Sequence, residues 1–234
     1  MSKKNKIAII TGASKGIGKA ISDLFQEKGI TSIGLSRYIK PSKYTYQCDV
    51  TNANSIQNTI KKITNHFGTI DILVNNVGIV NHRPIEKETL FDWNQIMATN
   101  VTSHFLFCKY VLPIMKKHQY GKIINISSVA GRLRSPKASS AYVCSKYAVI
   151  GLTRQLAFQY AEDNITINCI APGQIKTPML MANLTKKALK QLENSIPVGR
   201  VGKPEEIAQV VYFLTNDSIG YMTGAVVDIN GGQW

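Results

Sequence analysis

Three residues in the second half of the chain could together handle a carbonyl group. Tyr142 and Lys146, in AYVCSK, stand four apart and share one face if that segment is a helix. A phenol of ordinary pKa, near 10, is a poor proton donor or acceptor at neutral pH. A neighbouring ammonium favours the phenolate, lowers that value and brings Tyr142 into a useful range. Ser128 closes the run KIINISS, and its hydroxyl could donate to a carbonyl oxygen as charge develops there. Y-x-x-x-K by itself is usually an ordinary surface pair; the serine at a strand end raises it.

The N-terminal region carries a second set of chemical groups, TGASKGIG at 11–18, with glycines at Gly12, Gly16 and Gly18. This is not a P-loop, because Ile17 holds the place of the second glycine and Lys19 is followed by Ala20. It is not the dinucleotide pattern G-x-G-x-x-G either. Glycines still let a backbone approach a pyrophosphate closely. A helix starting near Gly16 would aim its free N–H groups and positive dipole end at that group. NAD binders usually end the second strand in a carboxylate that bonds the ribose 2′-hydroxyl. Here TSIGLS ends at Ser36 and Arg37 follows. A guanidinium can hold a 2′-phosphate, and Lys15 adds a second positive charge, so the pair points to NADP(H).

These groups need a scaffold that brings strand ends together. Apolar runs at 6–11, 31–36, 45–50, 71–76, 122–128, 165–173 and 225–231 alternate with helix-length segments. Among the latter, 18–29 places Ile21, Leu24 and Phe25 at helical spacing, and 51–68 does the same with Ile56, Ile60 and Ile63. Longer helices are expected over 88–117 and 141–163, and another over 204–216. Near-continuous apolar strands separated by helices imply an α/β fold. The expectation is a single-domain, doubly wound Rossmann fold over residues 1–234, with a mostly parallel seven-stranded sheet and helices on both faces. Ligands of such sheets sit outside the carboxyl ends of the strands, so the glycine loop and Ser128 belong to one edge. The stretch 177–200 breaks the rhythm; its Met179, Leu180, Met181 and Leu184 could lid an apolar pocket.

Composition narrows the class. Hydrophobic residues at 44% and charged residues at 18% describe a soluble globular chain. The net charge of +14 could serve nucleic acid, an acidic carrier protein or a membrane surface. However, the densest basic clusters, at 3–6, 61–62 and 185–190, are short, and none is interleaved with aromatics. A lysine-rich solvated exterior is therefore favoured, with no nucleic-acid partner. Cys48, Cys108, Cys144 and Cys169 lack metal or redox spacing and read as free thiols of a reducing cytosol, Cys144 as a core residue. The scattered histidines indicate no metal site. The run 105–115 is cut by Lys109 and Pro113, so no membrane span is expected and the location expected is cytoplasmic.

In order along the chain, TGASKGIG, CDV (48–50), NNVG (75–78), Asn100 in TNV, INISS (124–128), Tyr142 with Lys146, and PGQIKT (172–177) resemble the motifs of the short-chain dehydrogenase/reductase family. The resemblance covers essentially the whole chain. It implies a catalytic tetrad of Asn100, Ser128, Tyr142 and Lys146. Tyr142 would protonate the carbonyl oxygen as hydride arrives, Lys146 would also bond the nicotinamide ribose, and Asn100 would hold a water that relays protons. It implies cofactor contacts from Gly12, Ser14, Lys15, Gly16, Ile17 and Gly18, and from Ser36 and Arg37. Asp49 would bond the adenine amino group with Val50 beside the ring, and Asn76 and Gly78 would follow the adenosine ribose. Ile175 and Thr177 would hold the nicotinamide carboxamide, next to Pro172 and Gly173.

The overall pattern, including VGRVGKPEEIAQVVYFL and DINGG, is most like that of bacterial 3-oxoacyl-acyl-carrier-protein reductases. A carrier would meet Lys122 at one docking position, but Asp163 has the wrong sign at the other. The basic loop RLRSPKASS (132–140) could instead meet a phosphorylated or carboxylated substrate. A sugar, polyol or hydroxy-acid dehydrogenase is the alternative activity, and a non-catalytic cofactor sensor the third reading. The family also implies a homotetramer, or a homodimer, packed through the helices at 88–117 and 141–163.

Overall fold

Alternation along the strands decides what each face of the sheet buries. The computed structural model describes residues 5–182 and 184–233; Lys3 and Lys4 of the first basic cluster and Asn183 of the 177–200 segment lie outside the described residues. In β1 (Ile7–Thr11) every residue is buried, with Ile9 in one apolar layer and Ala8 and Ile10 in the other. β2 (Thr31–Ser36), β4 (Ile72–Asn75), β5 (Gly121–Ile126) and β6 (Ile165–Pro172) are equally enclosed apart from the ends of β2. The short strands β3 (Thr45–Gln47) and β7 (Val226–Ile229) form the two edges. All seven strands are parallel, in the order β3-β2-β1-β4-β5-β6-β7. The winding reverses between β1 and β4, which opens a crevice beyond their carboxyl ends.

Helices cover both faces. α1 (Gly16–Glu27) and α8 (Pro204–Leu214) bury Ile21, Phe25, Ile207 and Val211 against Ile10, Ile72 and Ile124. On the other face, α2 (Ala53–Phe67), α4 (Ser103–His118) and α5 (Ser140–Tyr160) lay Ile60, Phe107, Val111 and Ala157 over Ile9, Leu73 and Ile123. Each large side chain fully removed from water contributes about 1.5–3 kcal/mol, so these two layers hold the strand ends in fixed register.

The structure departs from the sequence expectations at several places. The strand expected over 45–50 stops at Gln47, because the Asp49 carboxylate turns back to accept from Thr51 N (3.0 Å) and Thr51 Oγ1 (2.8 Å). Asn52 then caps α2, its Oδ1 accepting from Ser55 N at 2.9 Å. The helix expected over 88–117 is really α3 (Leu90–Met97), a π-helical turn (Ala98–Thr102) and α4. No glycine or proline between 90 and 112 announces that break. Cys144 is exposed rather than in the core. Residues 37–44 join β2 to β3 without a helix, whereas parallel crossovers normally need a dozen residues or more. Between this link and α1 lies a groove of about 380 Å³, lined by Ser14, Lys19, Tyr38, Lys40 and Tyr44 among others. The 177–200 segment contains α6 (Pro178–Met181) and α7 (Lys186–Asn194), with no buried residue in either. Among the described residues, no helix is long and apolar enough to cross a membrane.

Candidate active site

The glycine loop is locked to the end of β4. Gly12 and Gly16 have φ of +68° and +59°, a region costly for residues with a Cβ. A Cβ on Gly18 would collide with the Gly12 carbonyl oxygen and come within 2.6 Å of Asn76 Nδ2. Thr11 Oγ1 accepts from the backbone N–H of Asn76 (2.9 Å) and of Val77 (3.0 Å), while Asn76 Nδ2 donates to Thr11 O at 2.8 Å. The N-cap of α1 is Lys15, which offers no side-chain acceptor to the first turn. The N–H groups of Gly16, Ile17 and Gly18 therefore lack intrahelical partners at the strand-end edge, a donor set that fits a pyrophosphate.

The neighbouring surface is basic. Ser36 Oγ donates to Ser14 Oγ at 3.3 Å, joining the end of β2 to the loop. Lys15 and Arg37 are exposed, and neither is in an ion pair among the described residues. The Arg37 guanidinium lies 5.5 Å from the centre of the Tyr38 ring. These residues fit a 2′-phosphate better than a bare ribose hydroxyl. Asp49 is exposed at the same end, its carboxyl held below the usual range by the Thr51 bonds and then by Arg37, while Val50 is buried.

Around Tyr142 the structure brings together the residues expected from sequence. Ser128 stands beside the Tyr142 phenol, close enough to oppose part of the effect of burial on it, and Ser128 Oγ accepts from Ala130 N at 3.1 Å. Ser127, the other serine of INISS, points elsewhere: its Oγ donates to Lys146 O at 2.8 Å. Lys146 Nζ lies 5.7 Å from the Tyr142 ring centre and donates to Ile126 O at 3.1 Å. Burial lowers the Lys146 ammonium pKa to about 8. The expected lowering of Tyr142 is overturned: burial raises the phenol, and the neighbouring Ser128 hydroxyl only partly opposes it. Desolvating a phenolate costs more here than its neighbours return.

Asn100 is fully buried in the π-helical turn, and its side chain is taken up by protein. Its Oδ1 accepts from Ile79 N at 2.8 Å, and its Nδ2 donates to Ile79 O (2.9 Å) and Ser145 Oγ (3.0 Å). Ser145 Oγ donates in turn to Tyr142 O at 2.7 Å. Gly78 lies beside Lys146 and Asn100: a Cβ there would lie 3.3 Å from Lys146 Nζ and 3.5 Å from Asn100 Oδ1. On the far side, Pro172 ends β6, Gly173 N donates to Ile229 O at 2.9 Å, and Thr177 packs against Gly16. The Ile175 side chain is buried with the α1–α8 layer, which leaves only its backbone for a ligand.

Several contributors had no signal of their own in the sequence. Thr11, Ser145 and Ser127 act only through the bonds above. The Glu88 carboxylate accepts from Ala141 N at 3.3 Å and so anchors the start of α5. His104 is fully buried; burial first, and then the Lys146 charge, lower its pKa to about 3. Lys122, expected to be available for carrier docking, is only 4% exposed in β5, and Asp163 pairs with Lys116 at 3.2 Å. Among the described residues, no group of three or more His, Cys, Asp or Glu could hold a metal.

A phenol, a serine hydroxyl and a buried lysine beside a dinucleotide-type crevice define an oxidoreductase that interconverts carbonyls and alcohols. A family model described as enoyl-(acyl carrier protein) reductase matches residues 12–233, and the chain belongs to that family, the short-chain dehydrogenase/reductases. It is 38% identical over 244 residues to a 3-oxoacyl-[acyl-carrier-protein] reductase of Vibrio cholerae, covering 100% of this chain and 99% of the relative. Its fold matches ligand-free aldohexose dehydrogenase of Thermoplasma acidophilum with a TM-score of 0.92 and 35% identity, over 98% of this chain and 94% of the other. NADP-bound ElxO matches with a TM-score of 0.92 and 33% identity, over 98% and 99%.

Proposed function

We propose that the protein is an NADPH-dependent carbonyl reductase acting on 3-oxoacyl thioesters, and the Ser128–Tyr142–Lys146 arrangement carries this reading. The dinucleotide supplies the hydride when bound. The α1 N–H groups hold its diphosphate, and Arg37 with Lys15 holds the 2′-phosphate. Asp49, Val50 and Asn76 line the adenosine end, and the backbone of Ile175 with Thr177 orients the carboxamide. Ser128 donates a hydrogen bond to the substrate carbonyl oxygen, and Tyr142 gives that oxygen its proton. A phenol raised by burial keeps its proton at neutral pH, which suits donation in the reducing direction. The Lys146 ammonium stabilises the phenolate left behind and bonds the nicotinamide ribose. Asn100 holds the Ile79 segment and α5 in register around Lys146, with a relay water at its backbone.

The segment 177–200 is the lid of this single domain; Met179, 55% exposed on α6, offers an apolar surface to an acyl chain. Phe105, Tyr147 and Phe158, exposed on α4 and α5, support assembly into a tetramer or dimer through these helices. The likeness to 3-oxoacyl-[acyl-carrier-protein] reductases supports a cytoplasmic enzyme. NADPH oxidation with acetoacetyl thioesters tests the activity, and Tyr142→Phe should cut it by roughly 100- to 10,000-fold while cofactor binding persists. The likeness to aldohexose dehydrogenase favours a second reading, sugar oxidation. A screen of aldoses at alkaline pH, with no thioester turnover, would establish that reading instead.

A further inference from the structure

The loop between the two catalytic hydroxyls is basic and fixed at the mouth of the site. It follows a 3-10 turn (Val129–Gly131) directly after Ser128 and ends at Ser139, the N-cap of α5. Arg132 N donates to Val129 O at 3.0 Å, and Ser139 N donates to Asn81 O at 3.0 Å. His82 Nδ1 donates to Lys137 O at 3.0 Å. Between Val129 and Tyr142 stand Arg132, Arg134 and Lys137, with no acidic residue. Arg132 is committed to Asp228 at 3.1 Å, and nearby Arg83 to Asp92 at 3.2 Å. Arg134 and Lys137 are exposed and enter no ion pair among the described residues.

Reach and charge together identify the ligand. Lys137 is five residues from Tyr142, and Arg134 is six from Ser128. At no more than about 3.5 Å per residue, the backbone keeps Lys137 within about 18 Å of Tyr142 and Arg134 within about 21 Å of Ser128. An extended 4′-phosphopantetheine arm, with its thioester at the catalytic hydroxyls and a phosphate at its far end, can bridge such a separation. A guanidinium and an ammonium in no ion pair among the described residues are groups that can bind such an anion. Lys122 and Asp163 are unsuited to that task, one by burial and the other by sign. We propose that Arg134 and Lys137 form a phosphate-reading rim that selects thioesters carried on a phosphorylated pantetheine arm. The inference rests on the thioester reading above.

The test compares acetoacetyl-pantetheine with acetoacetyl-4′-phosphopantetheine, which differ by one phosphate. The wild-type enzyme should prefer the phosphorylated thioester about tenfold in kcat/KM, mainly through KM, and added salt should erode that preference. Arg134→Ala with Lys137→Ala should bring the ratio near one, whereas Lys61→Ala with Lys62→Ala on α2 should preserve it. Acetoacetyl-CoA and acetoacetyl-carrier protein then name the source of the arm. A loss with either in the double variant supports the rim, the larger loss marks the preferred donor, and a loss with neither overturns it. Turnover with a wild-type ratio of one, or a ratio that survives the double substitution, overturns the rim alone. Failure to reduce any thioester overturns the thioester reading and the rim together.

Discussion

Asn100 grips the Ile79 peptide from both sides, accepting from its N–H at 2.8 Å and donating to its carbonyl at 2.9 Å. With the further bond to Ser145, one buried amide joins the loop after β4 to the helix that carries Tyr142. Asn100→Ala leaves these groups without partners, at roughly 1–3 kcal/mol for each that stays buried and unpaired. The expected result is a lower melting temperature and a fall in kcat that exceeds any change in KM. Calorimetry and steady-state kinetics check it, and a variant that melts with the wild type would refute the structural tie.

Lys146 predicts an alkaline limit. Reduction should weaken as pH rises through about 8, where the ammonium that supports Tyr142 is lost. Stability moves the other way. The folded-state pKa lies below the ordinary lysine value, so between about 8 and 10.5 the unfolded chain binds the extra proton. The Lys146 contribution to stability therefore rises with pH across that window. Lys146→Met should flatten this slope in urea titrations across that range.

His104 predicts an acid limit. Its folded-state pKa of about 3 lies below the ordinary 6.5, so the unfolded chain takes up a proton in that interval that the fold excludes. Stability should fall as pH drops from 6.5 towards 3, each tenfold difference in proton affinity being worth about 1.4 kcal/mol. His104→Leu should move the acid-unfolding midpoint, followed by circular dichroism, to lower pH. An unmoved midpoint would assign acid sensitivity to other groups.

Arg37→Asp replaces a phosphate-binding cation with a repelling anion. A charged hydrogen bond worth about 1.5–3 kcal/mol corresponds to roughly 10- to 150-fold, so the NADPH-to-NADH efficiency ratio should fall by that order. Kinetics with both cofactors measure it, and an unchanged ratio would show that Arg37 does not touch the 2′-phosphate.

Much of this was legible in the residues. Apolar runs with Ile at nearly every turn located the seven strands, and Gly12, Gly16, Ser128, Tyr142 and Lys146 marked one edge. What stayed hidden depends on three-dimensional packing. The π-helical turn at Asn100 has no local breaker; the residue it holds, Ile79, lies in the loop after β4 and is far away in sequence. The raised Tyr142 pKa reflects burial, which spacing along a helix does not report. Lys122 looked like a surface charge because its burial follows from β4 and β6 pairing on both sides of β5.

The two edge strands have a consequence for behaviour at high concentration. β3 pairs with β2 over three residues and β7 with β6 over four, at opposite borders of the sheet. Each border thus offers only a short row of unpaired peptide groups to another chain, too few to template strand addition. With a net charge of +14 repelling like copies, the molecule is protected against edge-to-edge aggregation even though its sheet interior is dense in isoleucine.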